Sequence, residues 1–335
     1  MSSTVRFGYG FDFRNPQLWQ KPWADLYAEH LEFIALTEEL GFRSVWLAEH
    51  HGMEDGYLPS PLMIGAAVAA RTKRLRIAQG IGLAPLYHPV RLAEDIAVLD
   101  ILSNGRAELC LAVGYLTSET ETYGVPFKAR GKRADELLQI VRPLLQGETV
   151  SFDGAHFTIK NARVRPLPVQ KPGIPIFIGG STALGFRRAA RFGDGFMGPI
   201  ESFPDYAKEL TACGKDENAA RLVSMGAGDL WFVVSEDPEK TIEEVAPHAY
   251  YQISSYAKWQ EDMAWGPFTQ MDLEQFKKSG LMKILTPDQA IDYIRSRLAV
   301  APVEAFCMHA PAGFPLSKLA THAELFAKKV MPAFR

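Results

Sequence analysis

The chain has 335 residues, 47% of them hydrophobic and 22% charged, with a formal net charge of −3. That composition belongs to a globular protein long enough for one large domain or two ordinary ones, and it excludes a disordered chain. The mildly acidic balance gives no global electrostatic case for nucleic acid, although local arginines can still hold a small anion.

Taken in chain order, short β-rich runs alternate with longer helical patterns. Val5–Gly10 (VRFGYG) predicts a first strand. Ala24–Leu40 follows with Leu26, Tyr27, Leu31, Ile34, Ala35 and Leu40 at helical spacing, closed by Gly41 as glycine closes a helix C-terminus. Ser44–Ala48 predicts the second strand, and Pro61–Arg71 a helix that opens on proline. Leu75–Leu83 and Pro89–Leu102, then Arg106–Val113 and Arg130–Leu145, give two more strand–helix pairs. Glu148–Ile159 breaks the rhythm, its FDGA turn between alternating segments reading as a hairpin. Ile174–Ile178 with helix Thr182–Arg191, and Gly195–Gly198 with helix Pro204–Cys213, supply the fifth and sixth pairs. Leu230–Ser235 is expected as the seventh strand, Pro287–Leu298 as a helix, Val303–His309 as the eighth strand and Lys318–Val330 as the closing helix.

Eight strands in this alternation, with no composition break suited to a linker, predict a closed (β/α)8 TIM barrel forming one domain over 1–335. An open doubly wound sheet fits less well, because no glycine-rich dinucleotide turn follows the first strand. The stretch 241–282 exceeds a minimal barrel unit and holds Tyr250, Tyr251, Tyr256, Trp259, Trp265 and Phe268. It reads either as a lid over the barrel mouth or as extra helices on the outer ring. The three cysteines, Cys110, Cys213 and Cys307, form no CxxC pair, which points to a reducing compartment without a disulfide framework. The opening MSSTVRFGYG is not built as a secretory leader and no uncharged apolar run reaches membrane-spanning length, so a cytoplasmic protein is expected, with neither membrane nor nucleic acid as partner.

Barrel enzymes carry their chemistry at the C-terminal ends of the strands. Glu49, His50 and His51 stand at such an end, within VWLAEHHGMEDGYLPSP. Metal ligands, an acid/base set and polar residues at a strand mouth are the three readings open to them. Strand alternation places Trp46, Ala48 and His50 on one face and Glu49 on the other. A metal site would need both faces, so no metal is expected. In PIFIGGSTALGFRRAARFGDGF a strand runs through Gly179, Gly180 and Ser181 into a helix start. That is either a phosphate cradle built from backbone N–H groups or a tight turn needing glycine for sterics. Cys110 alternates with Glu108 and Ala112 and is expected to face the barrel interior, where a cysteine commonly serves as a small hydrophobe.

In order and spacing, GFRSVWLAEHH, RIAQGIGLAPLYHPVRLAEDIAVLDILSNGRAELCLAVGY, ETYGVPFKARGKRADELL, VSFDGAHF and IPIFIGGSTALGFRRAARFGDGF resemble the bacterial luciferase-like flavin-dependent oxidoreductases over residues 5 to 200. The resemblance implies a barrel, commonly a homodimer, with flavin at the C-terminal face of the strands. It implies that His50 is the active-site histidine beside the flavin ring. It further implies that Gly80 and Ile81 form the strand-three end against that ring, at a bulge or a non-prolyl cis peptide. By the same resemblance Cys110 lies near the isoalloxazine, Arg130 reaches the flavin phosphate, and Gly180 and Ser181 form the phosphate loop. The leading expectation is therefore a two-component monooxygenase: reduced, diffusible FMN from a separate flavin reductase, dioxygen, and a small, hydrophobic organic substrate. Phe7, Tyr9 and Trp46 are expected to dry the barrel interior, with His309 a second polar candidate at the mouth. The alternatives are a deazaflavin-dependent hydride-transfer enzyme and a flavin-binding protein without turnover.

Overall fold

A computed structural model describes residues 5–225, 230–260 and 270–334. Its centre is a closed barrel of eight parallel strands, in spatial order β1 (Arg6–Phe11), β12 (Val303–His309), β9 (Leu222–Ser224), β8 (Gly195–Gly198), β7 (Ile176–Gly179), β4 (Ala107–Ala112), β3 (Arg76–Leu83) and β2 (Ser44–Leu47). Helices α1 (Trp23–Leu40), α2 (Pro61–Arg71), α3 (Pro89–Ser103), α5 (Arg130–Leu145), α6 (Ala183–Phe192), α7 (Phe203–Ala212), α10 (Pro287–Leu298) and α11 (Leu316–Lys329) run between or after the strands. A short helix α4 (Thr117–Thr122) precedes α5, and the hairpin β5 (Val150–Asp153) with β6 (Thr158–Ala162) is antiparallel as the FDGA turn predicts.

The seventh barrel strand differs from expectation. Leu230–Ser235 contains a real strand, β10 (Trp231–Val234), but it lies outside the barrel and pairs in parallel with β11 (Met282–Leu285). The barrel position belongs to Leu222–Ser224, three residues bonded to β8 and β12. A three-residue strand is too short to show a period, whereas WFVV is a continuous apolar run buried on both faces, which is what a barrel strand resembles from sequence.

A second correction concerns which side chains fill the barrel. Phe7 and Tyr9 point outward, Phe7 onto Phe326 of α11 and Tyr9 onto Phe33 of α1. Gly8 and Gly10 face inward, because strand alternation sends successive residues to opposite faces. A Cβ on Gly8 would lie 1.9 Å from the backbone oxygen of Ser44 and 2.8 Å from the Trp46 ring, and one on Gly10 2.8 Å from His309. The large inner residues thus require small ones opposite. The inner cluster is Trp46, Ala78, Cys110, Phe177, Met197, Val223, Ala305 and Cys307, with the Cys110 thiol 3.1 Å from the Met197 sulfur. Burial pushes both barrel thiols, Cys110 and Cys307, upward in pKa, so they remain small protonated hydrophobes.

The N-terminal end of the barrel is stitched by ions. Arg6 and Arg76 meet Glu108 at 3.2 and 2.8 Å, and Arg6 and Arg221 both meet Glu304 at 2.5 Å. A cavity of about 800 Å³ opens there, lined by these residues together with Arg142, Lys171 and Asp194. It lies at the end of the barrel opposite the residues described next, where barrels keep stability rather than chemistry.

Candidate active site

The loops after β1 and β2 hold each other by backbone bonds. Leu58 N donates to Asp12 O at 2.8 Å, Asn15 N to Asp55 O at 2.8 Å, and His50 N to Leu58 O at 3.2 Å. These bonds fix a hairpin-like return that carries Tyr57 back over His50, ring against ring at 4.6 Å.

Glu49 and His50 diverge, as alternation predicts. Glu49 turns toward β3 and accepts from Leu83 N at 2.6 Å, the Tyr87 hydroxyl at 2.6 Å and Gln79 Nε2 at 3.2 Å. His51 donates from Nε2 to Glu49 at 3.1 Å and accepts from the Tyr123 hydroxyl at 2.9 Å. His50 turns toward the loop after β4. Its Nδ1 lies 2.8 Å from Glu119 Oε1, and the same oxygen accepts from His51 N at 2.8 Å. Because a carboxylate oxygen can only accept, Nδ1 carries the hydrogen and Nε2 is left as an acceptor. The Tyr115 hydroxyl stands 3.2 Å from that Nε2. Burial, then neighbouring Tyr256 and Glu119, push the Tyr115 hydroxyl well above its usual pKa, so it stays a donor. Glu119, His50 and Tyr115 therefore form one line of oriented groups, with Glu119 2% and His50 6% exposed.

The roof over this line comes from α8 (Pro238–Trp259), within the 241–282 stretch. Its Trp259 ring lies 5.3 Å from the His50 ring, and the Tyr256 hydroxyl lies 3.0 Å from that of Tyr57. The same stretch also reaches the outer ring through α9 (Leu273–Lys278), where Phe276 packs on Trp231. The described parts of the stretch thus touch both the residues around His50 and the outer ring. Trp265 and Phe268 lie outside the described residues.

His309 ends β12 beside Gly10, as expected at the mouth of that strand, and is buried there. Its Nδ1 has no hydrogen-bond partner among the described residues, and burial pulls its pKa down to about 4. It is therefore neutral at ordinary pH.

Gly80 and Ile81 are joined by a non-prolyl cis peptide, and the β3–β4 register shifts between Gly80 and Gly82. Gly80 pairs with Cys110 across those strands, and a Cβ on Gly179 would lie 2.6 Å from Ile81, so the ends of β3, β4 and β7 meet here. Cys110 itself is level with Gly80 and buried in the inner cluster, against which Ile81 packs.

Arg130 opens α5, half-buried, its Nε donating to Gly114 O at 3.2 Å beyond the end of β4. Arg188 of α6 donates to Gly131 O at 3.3 Å and pairs with Asp135 at 2.6 Å. Burial, and after it the Arg188 charge, pull Arg130 below the usual arginine range. Asp135 pairs with Arg188, and among the described residues Arg130 donates only to the backbone carbonyls of Gly114 and Phe127, so its charge is left for an anion. Ser181 and Thr182 are exposed at the start of α6, where the helix presents free N–H groups. The Thr182 hydroxyl is spent as the cap, accepting from Gly185 N at 3.3 Å. A Cβ on Gly180 would come within 3.2 Å of Gly185 Cα, so close packing of turn on helix already explains that glycine. The groups present suit an elongated molecule with an anionic end at Arg130 and a flat end toward His50.

Sequence reading missed Glu119, Tyr115 and the charged set Arg14, Asp12 and Asp55 beneath α8. Glu119 is 69 residues from His50, so no local spacing signals the pair. The doubled carboxylates of TSETETYG look like a solvated helix face. Among the described residues no group of His, Cys, Asp and Glu is arranged to hold a metal, and no helix is long and apolar enough to cross a membrane.

The sequence model of luciferase-like monooxygenases matches residues 5–300. The oxygenase component of flavin-dependent trigonelline monooxygenase from Acinetobacter baylyi is 30% identical over 161 residues, which are 48% of this chain and 44% of that one. The F420-dependent glucose-6-phosphate dehydrogenase of Microbacterium testaceum is 32% identical over 201 residues, 58% and 59% of the two chains. This chain thus spans only about half the length of these curated relatives. The FMN complex of the oxygenating constituent of 3,6-diketocamphane monooxygenase from Pseudomonas putida superposes with a TM-score of 0.79 over 98% of each chain, at 16% identity, which shows the fold. With a family match over nearly the whole chain and the closed barrel beneath it, the protein belongs to the luciferase-like monooxygenase family.

Proposed function

We propose that the protein is a flavin-dependent monooxygenase that takes reduced FMN from a separate reductase and uses dioxygen to oxygenate a small, mainly hydrophobic organic substrate. The observation that carries the proposal is the buried Glu119–His50–Tyr115 line under an aromatic roof, with a cationic corner at Arg130 and Arg188 on the same end of the barrel.

A reduced flavin would supply the electrons that activate oxygen; the protein's part is to hold it, orient it and keep water away. Arg130, with the N–H groups at Ser181 and the start of α6, would hold the phosphate, and the Gly80–Ile81 backbone would flank the ring end. Glu119 fixes the hydrogen of His50 on Nδ1, so that Nε2 accepts and releases a proton at one defined atom. The rings of Tyr57, Tyr115 and Trp259 around His50 exclude water from that atom.

A deazaflavin-dependent hydride transfer is the second reading, favoured by the similarity to the glucose-6-phosphate dehydrogenase. Quenching of FMN fluorescence on titration, with a dissociation constant raised roughly tenfold by Arg130→Ala for one lost charge-assisted contact, supports the flavin reading. Binding of a deazaflavin but not of FMN, with no oxygen uptake from reduced FMN, replaces it with the second. His50→Ala is expected to lower turnover roughly 10²-fold or more. A homodimer through the face of α2 and α3 that exposes Met63, Val98 and Leu102 accompanies the proposal, and light scattering on the purified chain tests it.

A further inference from the structure

Arg14 stands just beyond β1, its side chain 1% exposed. Its Nε donates to Asp55 Oδ2 at 2.6 Å and its Nη2 to Ser255 Oγ of α8 at 2.8 Å. Its Nη1 is buried with no hydrogen-bond partner among the described residues. The rings of Tyr251, Trp259 and Tyr57 surround the guanidinium carbon at 4.9, 5.3 and 5.4 Å. A buried, charged N–H without an acceptor is a costly thing for a fold to retain, and such groups concentrate where a ligand completes them.

The place is the reaction site's own wall. Tyr57 lies 4.6 Å from the His50 ring and Trp259 5.3 Å from it, so each ring touches both the imidazole and the guanidinium. The two rings thus form a wall shared by the imidazole and the guanidinium. We propose that Arg14 recognises the substrate, its Nη1 donating a hydrogen bond to the oxygen of an uncharged, ring-shaped molecule, in the simplest case a cyclic ketone. This rests on the reading of the barrel mouth as the reaction site, and it supplies the substrate class which that reading leaves open.

Three features select the class. The free group is a donor, so the ligand atom must be an acceptor. Asp55 already balances the guanidinium charge, and Asp12 accepts from Arg14 N at 3.3 Å and from Gln252 at 2.7 Å. A substrate carboxylate would be a third acid around one cation, buried without compensation, whereas a carbonyl oxygen needs no countercharge. The walls are flat aromatic faces, which favour a ring over a flexible chain. The competing occupant is a water bridging Nη1 to Asp55 Oδ1, an atom that also lacks a partner among the described residues.

The test is saturation-transfer NMR on the full chain with three probes of one size: cyclohexanone, methylenecyclohexane and cyclohexanecarboxylate. Cyclohexanone is expected to bind at least tenfold more tightly than either of the others. In the Arg14→Met, Asp55→Asn double variant, in which the asparagine oxygen still accepts from Tyr251, the ketone and the alkene should bind within twofold of each other. Equal binding of ketone and alkene to the unaltered protein, tighter binding of the carboxylate, binding of none of the three, or a ketone preference that survives in the folded double variant would each overturn the proposal. If the double variant does not fold, the three affinities on the unaltered protein decide. FMN titrated into the same samples separates the two readings. Ketone preference without FMN binding removes the flavin reading alone, and FMN binding without ketone preference removes this one alone.

Discussion

The orientation of His50 depends on a single carboxylate oxygen, and Glu119 is where the site is most open to test. Glu119 Oε1 accepts from His50 Nδ1 and from His51 N, both at 2.8 Å, the first bond buried and the second partly buried. Glu119→Ala deprives both donors of their acceptor, at about 1–3 kcal/mol for the buried one and about 1 kcal/mol for the other, so a loss of about 2–4 kcal/mol is expected in urea unfolding. Glu119→Gln keeps an oxygen at the same place and should recover most of that stability. Its amide nitrogen replaces Oε2, an atom with no partner in the described structure, so some penalty remains. The carboxylate that holds the hydrogen of His50 on Nδ1 is gone in both variants. Turnover in Glu119→Gln is therefore expected to fall roughly 10²-fold with little change in flavin affinity. Nitrogen-15 NMR supplies a readout independent of turnover: His50 should be the Nδ1–H tautomer in the unaltered protein and a mixture in Glu119→Ala. An unchanged unfolding free energy together with an unchanged tautomer in Glu119→Ala would refute the positioning role.

Burial pulls His309 down to about 4 from an ordinary 6.5. Between those values the unfolded chain binds the proton that the folded chain refuses, so stability is full above pH 6.5 and falls as pH drops toward 4, by on the order of 3 kcal/mol. His309→Gln should flatten that part of a pH series of urea titrations, although His30 and His248, also lowered first by burial, leave a residual slope of the same sign. Glu38 accepts from the backbone N–H groups of Lys73, Arg74 and Leu75 where α2 gives way to β3. Glu38→Ala should lower the unfolding free energy by roughly 2–4 kcal/mol without altering FMN affinity, since it acts at the end of the barrel remote from His50. Tyr57→Phe removes the bond to the Tyr256 hydroxyl and should cost about 1 kcal/mol in thermal unfolding while keeping the ring over His50.

The barrel was legible because its signals are local. Pro61–Arg71, Arg130–Leu145, Pro287–Leu298 and Val303–His309 lie where proline, apolar periodicity and turn residues put them. Phe7 and Tyr9 were not, because RFGYGF alternates large and small residues without saying which set faces the helices. A slip of one residue inverts every side chain, and only the sizes of Trp46 and His309 on neighbouring strands decide the matter. The seventh strand failed for the same reason: WFVV and LVS compete for one barrel position, and the choice lies in pairing partners far along the chain.

The site divides along a similar line. His50 was legible as a polar residue at a strand end, and its divergence from Glu49 followed from the period of two. What orients and encloses its ring is Glu119, Tyr115 and Trp259, none of them near it in sequence. Arg14 shows the cost of that gap most plainly. In GFDFRNPQL it resembles any arginine in a polar loop, and the sequence gives an apolar mouth with few basic groups. Folding places it under Tyr251 and Trp259, more than 200 residues away, and turns a surface-like charge into a buried one. A buried cation with one free N–H constrains a ligand more than an apolar wall does. A wall accepts anything of the right size, whereas the N–H discriminates strongly against a molecule that offers no acceptor. The selectivity of this mouth therefore resides in a contact between the first loop of the chain and α8, and it should change with substitutions at 14, 55 or 255 while the barrel and the imidazole stay as they are.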